Sequence, residues 1–141
     1  MGVVSDFMVV DLDDAQRACD ASLNDRDFPW SDGGVDQPML APLYSLLTGK
    51  RAAPDFMHEY VCCTSDDGPW LFEFPREMVR RLAALDARDI PAAAKEWAGD
   101  EAFAEIEEVP LDAVEQVLTD LSSLAQIAVE ERQSLVLWLS T

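Results

Sequence analysis

The amino-acid sequence predicts a single α+β domain, and three observations lead to that prediction. The chain has 141 residues, which is the length of one domain. Apolar, β-branched runs stand near both ends, and segments with helical periodicity separate them. Hydrophobic residues make up 49% of the chain, which is too many for a disordered protein. We therefore expect residues 1–141 to form one domain, with a mixed sheet of about four strands covered by about five helices.

The first third of the chain predicts a strand, a short helix, a loop and a second helix. Val3–Val10 is rich in β-branched and apolar residues and predicts the first strand. A short helix should follow over about Asp13–Leu23, where Cys19 would be a small core residue. Residues 24–37 contain proline and glycine and predict a long loop. Pro38–Thr48 then predicts a helix that stops at a glycine.

A β-hairpin is predicted for the middle of the chain. Glu59–Thr64 and Trp70–Phe74 are strand-like runs, and the sequence SDDGP between them is typical of a turn. In such a strand His58 and Cys62 lie about 13 Å apart, at roughly 3.3 Å per residue. Zinc bonds are about 2.0–2.3 Å long, so this pair cannot hold one ion.

The three cysteines are best interpreted as structural. Cys62 and Cys63 are adjacent, so they point to opposite faces of a regular strand and cannot chelate together. A buried cysteine ordinarily acts as a small hydrophobic residue. The alternative is a Cys–His nucleophile pair, for which the fold would have to bring Cys19 or Cys63 beside His58.

Three further helices and a strand are predicted for the second half. Two begin near Pro75 and Pro91, with the sequences PREMVRRLAALDA and PAAAKEWA. The longest spans about Pro110–Glu131 and keeps a helical period of apolar residues. Leu135–Ser140 is continuously apolar and predicts a strand buried on both faces. We expect the two terminal strands to pair in the middle of the sheet.

The charge balance excludes several classes of partner. The chain has 28 acidic and 10 basic residues, a formal net charge of −18. Nucleic acids and anionic membranes are disfavoured, because both require a basic surface. The odd cysteine count, the acidic N-terminal segment and the lack of a long apolar run predict a cytoplasmic, soluble protein without a signal peptide or membrane helix. The charge itself either serves solubility or attracts a basic partner.

An acidic segment is the candidate docking surface for such a partner. Glu96–Glu130 contains ten acidic residues and no lysine, arginine or histidine. It is either a solvated face or a surface that docks a basic protein. Trp30 would either fold back over the core as a lid or stand out as a binding anchor. The predicted partner-binding residues are Glu101, Glu105, Glu107, Glu108, Asp112, Glu115 and Trp30.

Basic residues are concentrated in one short region. Five of the ten lie between Arg76 and Lys95. Arg76, Arg80 and Arg81 should lie in the first turns of a helix, where positive charge opposes the helix dipole. They would therefore pair with nearby acids such as Glu73, Glu77 or the loop aspartates, or form an anion-binding groove.

No catalytic, cofactor or metal motif is present in the sequence. The glycine-rich phosphate loops, GxSxG and HExxH are all missing. The aspartates of the 24–37 loop fail the spacing of a calcium-binding EF-hand, so we predict no metal and no cofactor. These aspartates are Asp25, Asp27, Asp32 and Asp36.

The leading hypothesis is a non-enzymatic protein-binding domain, such as an immunity or inhibitor protein for a basic partner. The alternative is a small hydrolase or transferase that uses loop carboxylates with Arg80 or Arg81. A third hypothesis is that the protein is a structural homo-oligomer in which Trp30, Trp97 or Phe103 supplies apolar contacts.

The layout of the chain resembles one known family. The carrying features are the opening MG before an apolar strand, the sequence LYSLLTG at 43–49, and a long acidic helix before a final apolar strand. In these features the chain resembles the small bacterial YfbM-like proteins, which are uncharacterised α+β domains. The resemblance implies an α+β fold and implies no activity.

Overall fold

The computed structural model describes residues 4–11, 29–32, 37–53, 56–60, 70–99 and 110–140. Over these ranges the chain forms five strands and four helices, which confirms the α+β class. The strands are β1 (Val4–Val10), β2 (Trp30–Asp32), β3 (His58–Tyr60), β4 (Trp70–Glu73) and β5 (Ser134–Ser140). The helices are α1 (Gln37–Thr48), α2 (Arg76–Ala83), α3 (Ile90–Ala98) and α4 (Leu111–Glu131).

The five strands form one sheet in the order β2-β1-β5-β4-β3. The two terminal strands pair along their whole length, from Val4 opposite Ser140 to Val10 opposite Ser134, and β5 is central. This confirms that the two terminal strands pair with each other in the middle of the sheet.

The prediction of a mixed sheet is wrong, because all four described pairings are antiparallel. The reason is visible where β4 ends. The backbone N–H of Phe74 donates to the carbonyl of Leu135 over 2.9 Å, so β5 starts beside the end of β4 and runs back along it. A parallel pair would instead need a crossover to the far end of the sheet.

The prediction of one continuous loop over residues 24–37 is also wrong. Trp30–Asp32 forms the edge strand β2, with Asp32 opposite Asp6 and Trp30 opposite Met8. The backbone N–H of Val9 also donates to the carbonyl of Pro29 over 3.0 Å. Three residues between proline and glycine carry no strand pattern, and the pairing with β1 supplies their hydrogen bonds.

The predicted hairpin is confirmed in its strand pairing. β3 and β4 are antiparallel, with His58 opposite Glu73 and Tyr60 opposite Leu71. The turn and both of its cysteines, Cys62 and Cys63, lie outside the described residues, as does Cys19. The helix predicted over about residues 13–23 also lies outside them, so four helices are described where five were predicted.

Two helices, α1 and α4, are followed by a residue with a positive φ, which is a glycine after α1 and an arginine after α4. Gly49 has a φ of 71° and follows α1, where its N–H donates to the carbonyl of Ser45 over 2.9 Å. Arg132 has a φ of 55° and ends α4, and the N–H of Gln133 donates to the carbonyl of Ala128 over 2.9 Å. Both positions use the left-handed conformation that commonly closes a helix.

The core lies between the sheet and the helices. On the helix-facing side, Phe7 and Phe74 meet edge to face with ring centroids 5.9 Å apart. α4 contacts β1 and β5, while α2 and α3 pack against α4. On the opposite face Met8 and Val136 are fully buried. The prediction that β5 is buried on both faces is therefore confirmed for Leu135–Leu137, whereas Trp138 and Leu139 are half-buried. None of the described helices is long and apolar enough to cross a membrane.

Trp97 is part of this core. Its side chain is 1% exposed, and its indole N–H donates to the carbonyl of Met39 over 2.8 Å. The interpretation of Trp97 as an apolar contact between subunits is therefore wrong. Apolar periodicity along α3 places this ring inside, where it joins α3 to α1. Phe103, which was also suggested as an apolar contact in a homo-oligomer, lies outside the described residues.

Candidate functional site

A cleft of about 350 Å³ opens between α2, the C-terminal end of α4 and the start of β5. Its floor is apolar and includes Phe74 and Leu135, both of which are buried. The described polar residues that line it come from two separate parts of the chain. They are Glu73, Arg76, Arg80, Arg132, Gln133 and Ser134.

Two arginines reach the cleft from one side of α2. Arg76 and Arg80 are four residues apart, and residues at this spacing lie on the same face of a helix. Arg132 comes from the other wall, directly after the last residue of α4. All three side chains are exposed to solvent at the rim.

The cleft has an excess of positive charge. Among the described residues that line it there are three arginines and one acidic residue, Glu73, which is half-buried. The Ser134 hydroxyl donates a hydrogen bond to the Glu73 carboxylate over 2.9 Å. Between described residues the ion pairs are Lys50–Glu77 at 2.7 Å and Arg88–Asp86 at 3.8 Å, and neither includes a cleft arginine.

The predicted arginine trio is only partly brought together. Arg76 and Arg80 line the cleft, whereas Arg81, the next residue along α2, does not. The expected conflict with the helix dipole is wrong for Arg80 and Arg81. Because α2 has eight residues, they lie in its last turn, where positive charge is favourable.

Arg132 was missed by sequence reasoning, although a signal was present. A helix as clear as α4 is expected to end in glycine or asparagine. The residue that stands there is arginine.

Glu77 pairs with a lysine, not with the arginines beside it. The Lys50 ammonium donates a 2.7 Å hydrogen bond to the Glu77 carboxylate. This bond, with the added positive charge of Lys50, Arg81 and Arg80, lowers the pKa of Glu77 below its ordinary value. The same bond raises the pKa of Lys50. The contact joins the end of α1 to α2.

The predicted docking surface is described only where it enters α4. Asp112 is exposed and Glu115 is half-buried, both near the start of the helix. Glu101, Glu105, Glu107 and Glu108 lie outside the described residues. Further along α4, Asp120 is half-buried and accepts a hydrogen bond from the Gln116 amide over 3.0 Å, and Glu130 and Glu131 are exposed. We call the five described acids, Asp112, Glu115, Asp120, Glu130 and Glu131, the acidic face of α4.

Trp30 lies in β2 and is half-buried. It is neither fully covered nor fully exposed. Whether it acts as a lid or as a binding anchor therefore stays a prediction.

Of the four aspartates in the 24–37 segment, Asp32 is the one whose backbone the structure describes. Asp32 lies in β2, three strand spacings from β4, or about 14 Å at about 4.8 Å per spacing. Asp25, Asp27 and Asp36 lie outside the described residues, so the hydrolase or transferase alternative stays a prediction. Among the residues that the structure describes, no three His, Cys, Asp or Glu side chains are grouped to hold a metal ion.

No protein-family model, curated protein or solved structure matches this chain. The resemblance to the YfbM-like proteins therefore stays a prediction from the sequence. The evidence for a function therefore comes from two charged features of the chain itself, the acids along α4 and the arginines around the cleft.

Proposed function

We propose that this chain is a non-enzymatic protein-binding domain that docks a basic protein partner on the acidic face of α4. The observation that carries the proposal is the composition of that helix. Its 21 residues include five acids and no lysine, arginine or histidine. None of the five forms an ion pair with another described residue. Their charge is therefore not neutralised within the described part of the chain.

Acids on one helix that form no ion pair with a described residue attract a basic surface at short range. At physiological ionic strength the Debye length is about 8 Å, so only acids near the contact act strongly on a bound partner. The net charge of −18 adds weaker steering and mainly raises the association rate.

The same helix also offers apolar contact area. Among the described residues, the exposed large hydrophobic side chains are Leu111, at 41%, and Val129, at 50%. They stand at opposite ends of α4. A protein interface needs apolar contacts as well as charge, and these two side chains supply some of that surface.

The most concrete form of this function is an immunity or inhibitor protein that neutralises a basic partner. The small size and the net charge support it, as does the lack of catalytic motifs in the sequence. Such a protein acts by covering a surface, so it needs an exposed charged face and no reactive group.

Affinity capture with matched baits tests the proposal. Tagged wild-type protein is exposed to lysate of the source organism at about 0.05 M and about 0.5 M salt, where the Debye length falls several-fold. A second bait carries Asp112→Asn and Asp120→Asn, and a control bait carries Asp86→Asn and Asp89→Asn. Both variants change charge equally, and Asp86 and Asp89 are exposed outside α4. Mass spectrometry then identifies the retained proteins.

The expected result is a basic protein that wild-type and control baits retain at low salt and release at high salt. The α4 variant should retain much less of it. Equal retention by the α4 and control variants would place the contact elsewhere. Capture of no specific protein by folded bait would count against the binding function.

A further inference from the structure

We infer that the cleft between α2, α4 and β5 binds a small organic anion, with a phosphate monoester as its best ligand. The inference is independent of the acidic face of α4. It rests on the convergence of Arg76, Arg80 and Arg132 from two distant parts of the sequence. The chain has only ten basic residues, so three around one cleft are a large share of its positive charge.

The three arginines have positive charge available for a ligand. In an acidic protein, arginines are expected to pair with neighbouring carboxylates. Here no ion pair with a described residue involves Arg76, Arg80 or Arg132. The nearest glutamate on their own helix, Glu77, instead pairs with Lys50 at 2.7 Å. The bidentate geometry of a guanidinium suits carboxylate and phosphate oxygens.

The negative charge of the whole molecule does not cancel this local excess. Acids more than about 8–10 Å away are largely screened at physiological salt. Among the described acids, Glu73 lines the cleft and Glu130 and Glu131 directly precede Arg132. Glu77 also lies near Arg80, but its carboxylate is paired with Lys50 at 2.7 Å. Glu130 and Glu131 are exposed, and they do not line the cleft. Among the described lining residues, three positive charges therefore oppose one negative charge.

The cleft itself limits the ligand class. Its volume of about 350 Å³ is at the low end for small-molecule sites, which fits a small organic ligand. The floor formed by Phe74 and Leu135 suits an apolar body. The excess of two positive charges over Glu73 matches a phosphate dianion better than a single carboxylate. Gln133 adds an amide able to hydrogen-bond an ester or hydroxyl oxygen.

The backbone at Arg132 supports the assignment. Its φ of 55° lies in the left-handed region, where glycine would be unstrained. Replacing Arg132 with glycine should therefore remove the side chain while keeping the fold. This makes Arg132→Gly a variant that separates binding from folding.

Calorimetric titration with phenyl phosphate tests the site. The comparison ligands are inorganic phosphate, which lacks the apolar body, benzoate, which has one negative charge, and benzyl alcohol, which is uncharged. The cleft variants are Arg76→Ala, Arg80→Ala and Arg132→Gly. The matched control is Arg81→Ala, because Arg81 belongs to α2 and does not line the cleft. Circular dichroism confirms that each variant is folded.

We expect saturable binding of phenyl phosphate, weaker binding of inorganic phosphate and benzoate, and none of benzyl alcohol. Each cleft variant should weaken phenyl phosphate binding about tenfold or more, as expected for a lost charged hydrogen bond. Arg81→Ala should change affinity less than about twofold, since a long-range charge contributes little under screening.

Three results would overturn the assignment. The first is no saturable binding of phenyl phosphate up to about 10 mM, well above a weak millimolar Kd. The second is an equal loss of affinity in Arg81→Ala and Arg80→Ala. The third is tighter binding of benzoate than of phenyl phosphate, which would reject the phosphate monoester.

Discussion

Arg132 occupies a backbone position that usually belongs to glycine. A left-handed conformation costs a residue with a Cβ about 1–2 kcal/mol. Elsewhere in the same chain, after α1, the equivalent position is Gly49, where an added Cβ would meet nothing within 4 Å. Arg132 differs from Gly49 in this respect. An arginine stands next to the cleft at a position where glycine would relieve backbone strain.

Arg132→Gly should stabilise the protein. Removal of the Cβ relieves the strain at φ 55°, and the higher entropy of unfolded glycine offsets part of that gain. We expect a net rise of about 0.5–1 kcal/mol in the free energy of unfolding. Urea denaturation measures it. Gln133→Gly is the control, and it should destabilise, because Gln133 has no positive φ. A fall in stability for Arg132→Gly would contradict the strain account.

At the scale of elements, α3 is joined to α1 by one buried hydrogen bond. The indole of Trp97 donates to the carbonyl of Met39, and the ring is 1% exposed. Trp97→Phe should lower the free energy of unfolding by about 2–3 kcal/mol, from the unsatisfied carbonyl and the lost volume. Urea denaturation measures the change. Trp70→Phe is the matched control, because Trp70 is half-buried, and it should cost less than half as much. An equal fall in the free energy of unfolding for both variants would show that the hydrogen bond of Trp97 does not contribute to stability.

The contact between the end of α1 and α2 depends on pH. The pKa of Glu77 is lowered, so its contribution to stability is present above its unfolded pKa and is lost as pH falls through the folded one. The pKa of Lys50 is raised, so its contribution holds below 10.5 and is lost as pH rises through the higher folded pKa. The pair therefore stabilises the fold across neutral pH.

Glu77→Gln tests this dependence. The variant should be less stable than wild type at neutral pH, and the difference should vanish well below the ordinary carboxylate pKa of 4.5. Urea denaturation at several pH values measures it. Glu130→Gln is the control, because Glu130 is exposed and has no ion pair with a described residue. A difference that persists at low pH would mean that Glu77 acts by packing.

The helices and strands differ in how well the sequence predicts them. α4 was predictable, because its apolar residues repeat with the helical period. The terminal strands were predictable, because they are runs rich in β-branched and apolar residues. β2 was not predictable, because its three residues carry no strand pattern and are placed by their pairing with β1. Part of the cleft was predictable, because Arg76 and Arg80 share a face whenever this segment is a helix. Arg132 joins them only through the packing of α4 on α2.

At the scale of the whole molecule, the net charge of −18 should destabilise the folded state through self-repulsion. Added salt screens that repulsion. We therefore expect the Tm to rise by several degrees between low salt and about 0.5 M sodium chloride. Differential scanning calorimetry at neutral pH measures it. A constant or falling Tm would mean that local ion pairs outweigh the overall repulsion.

The central claim is that the acidic face of α4 docks a basic partner. The most direct test measures the association rate of the captured partner with wild type, Asp112→Asn/Asp120→Asn and Asp86→Asn/Asp89→Asn, at low and high salt. The account predicts a rate that falls steeply with salt for wild type and control, and a slower, less salt-dependent rate for the α4 variant. Identical rates and salt slopes for all three proteins would contradict it.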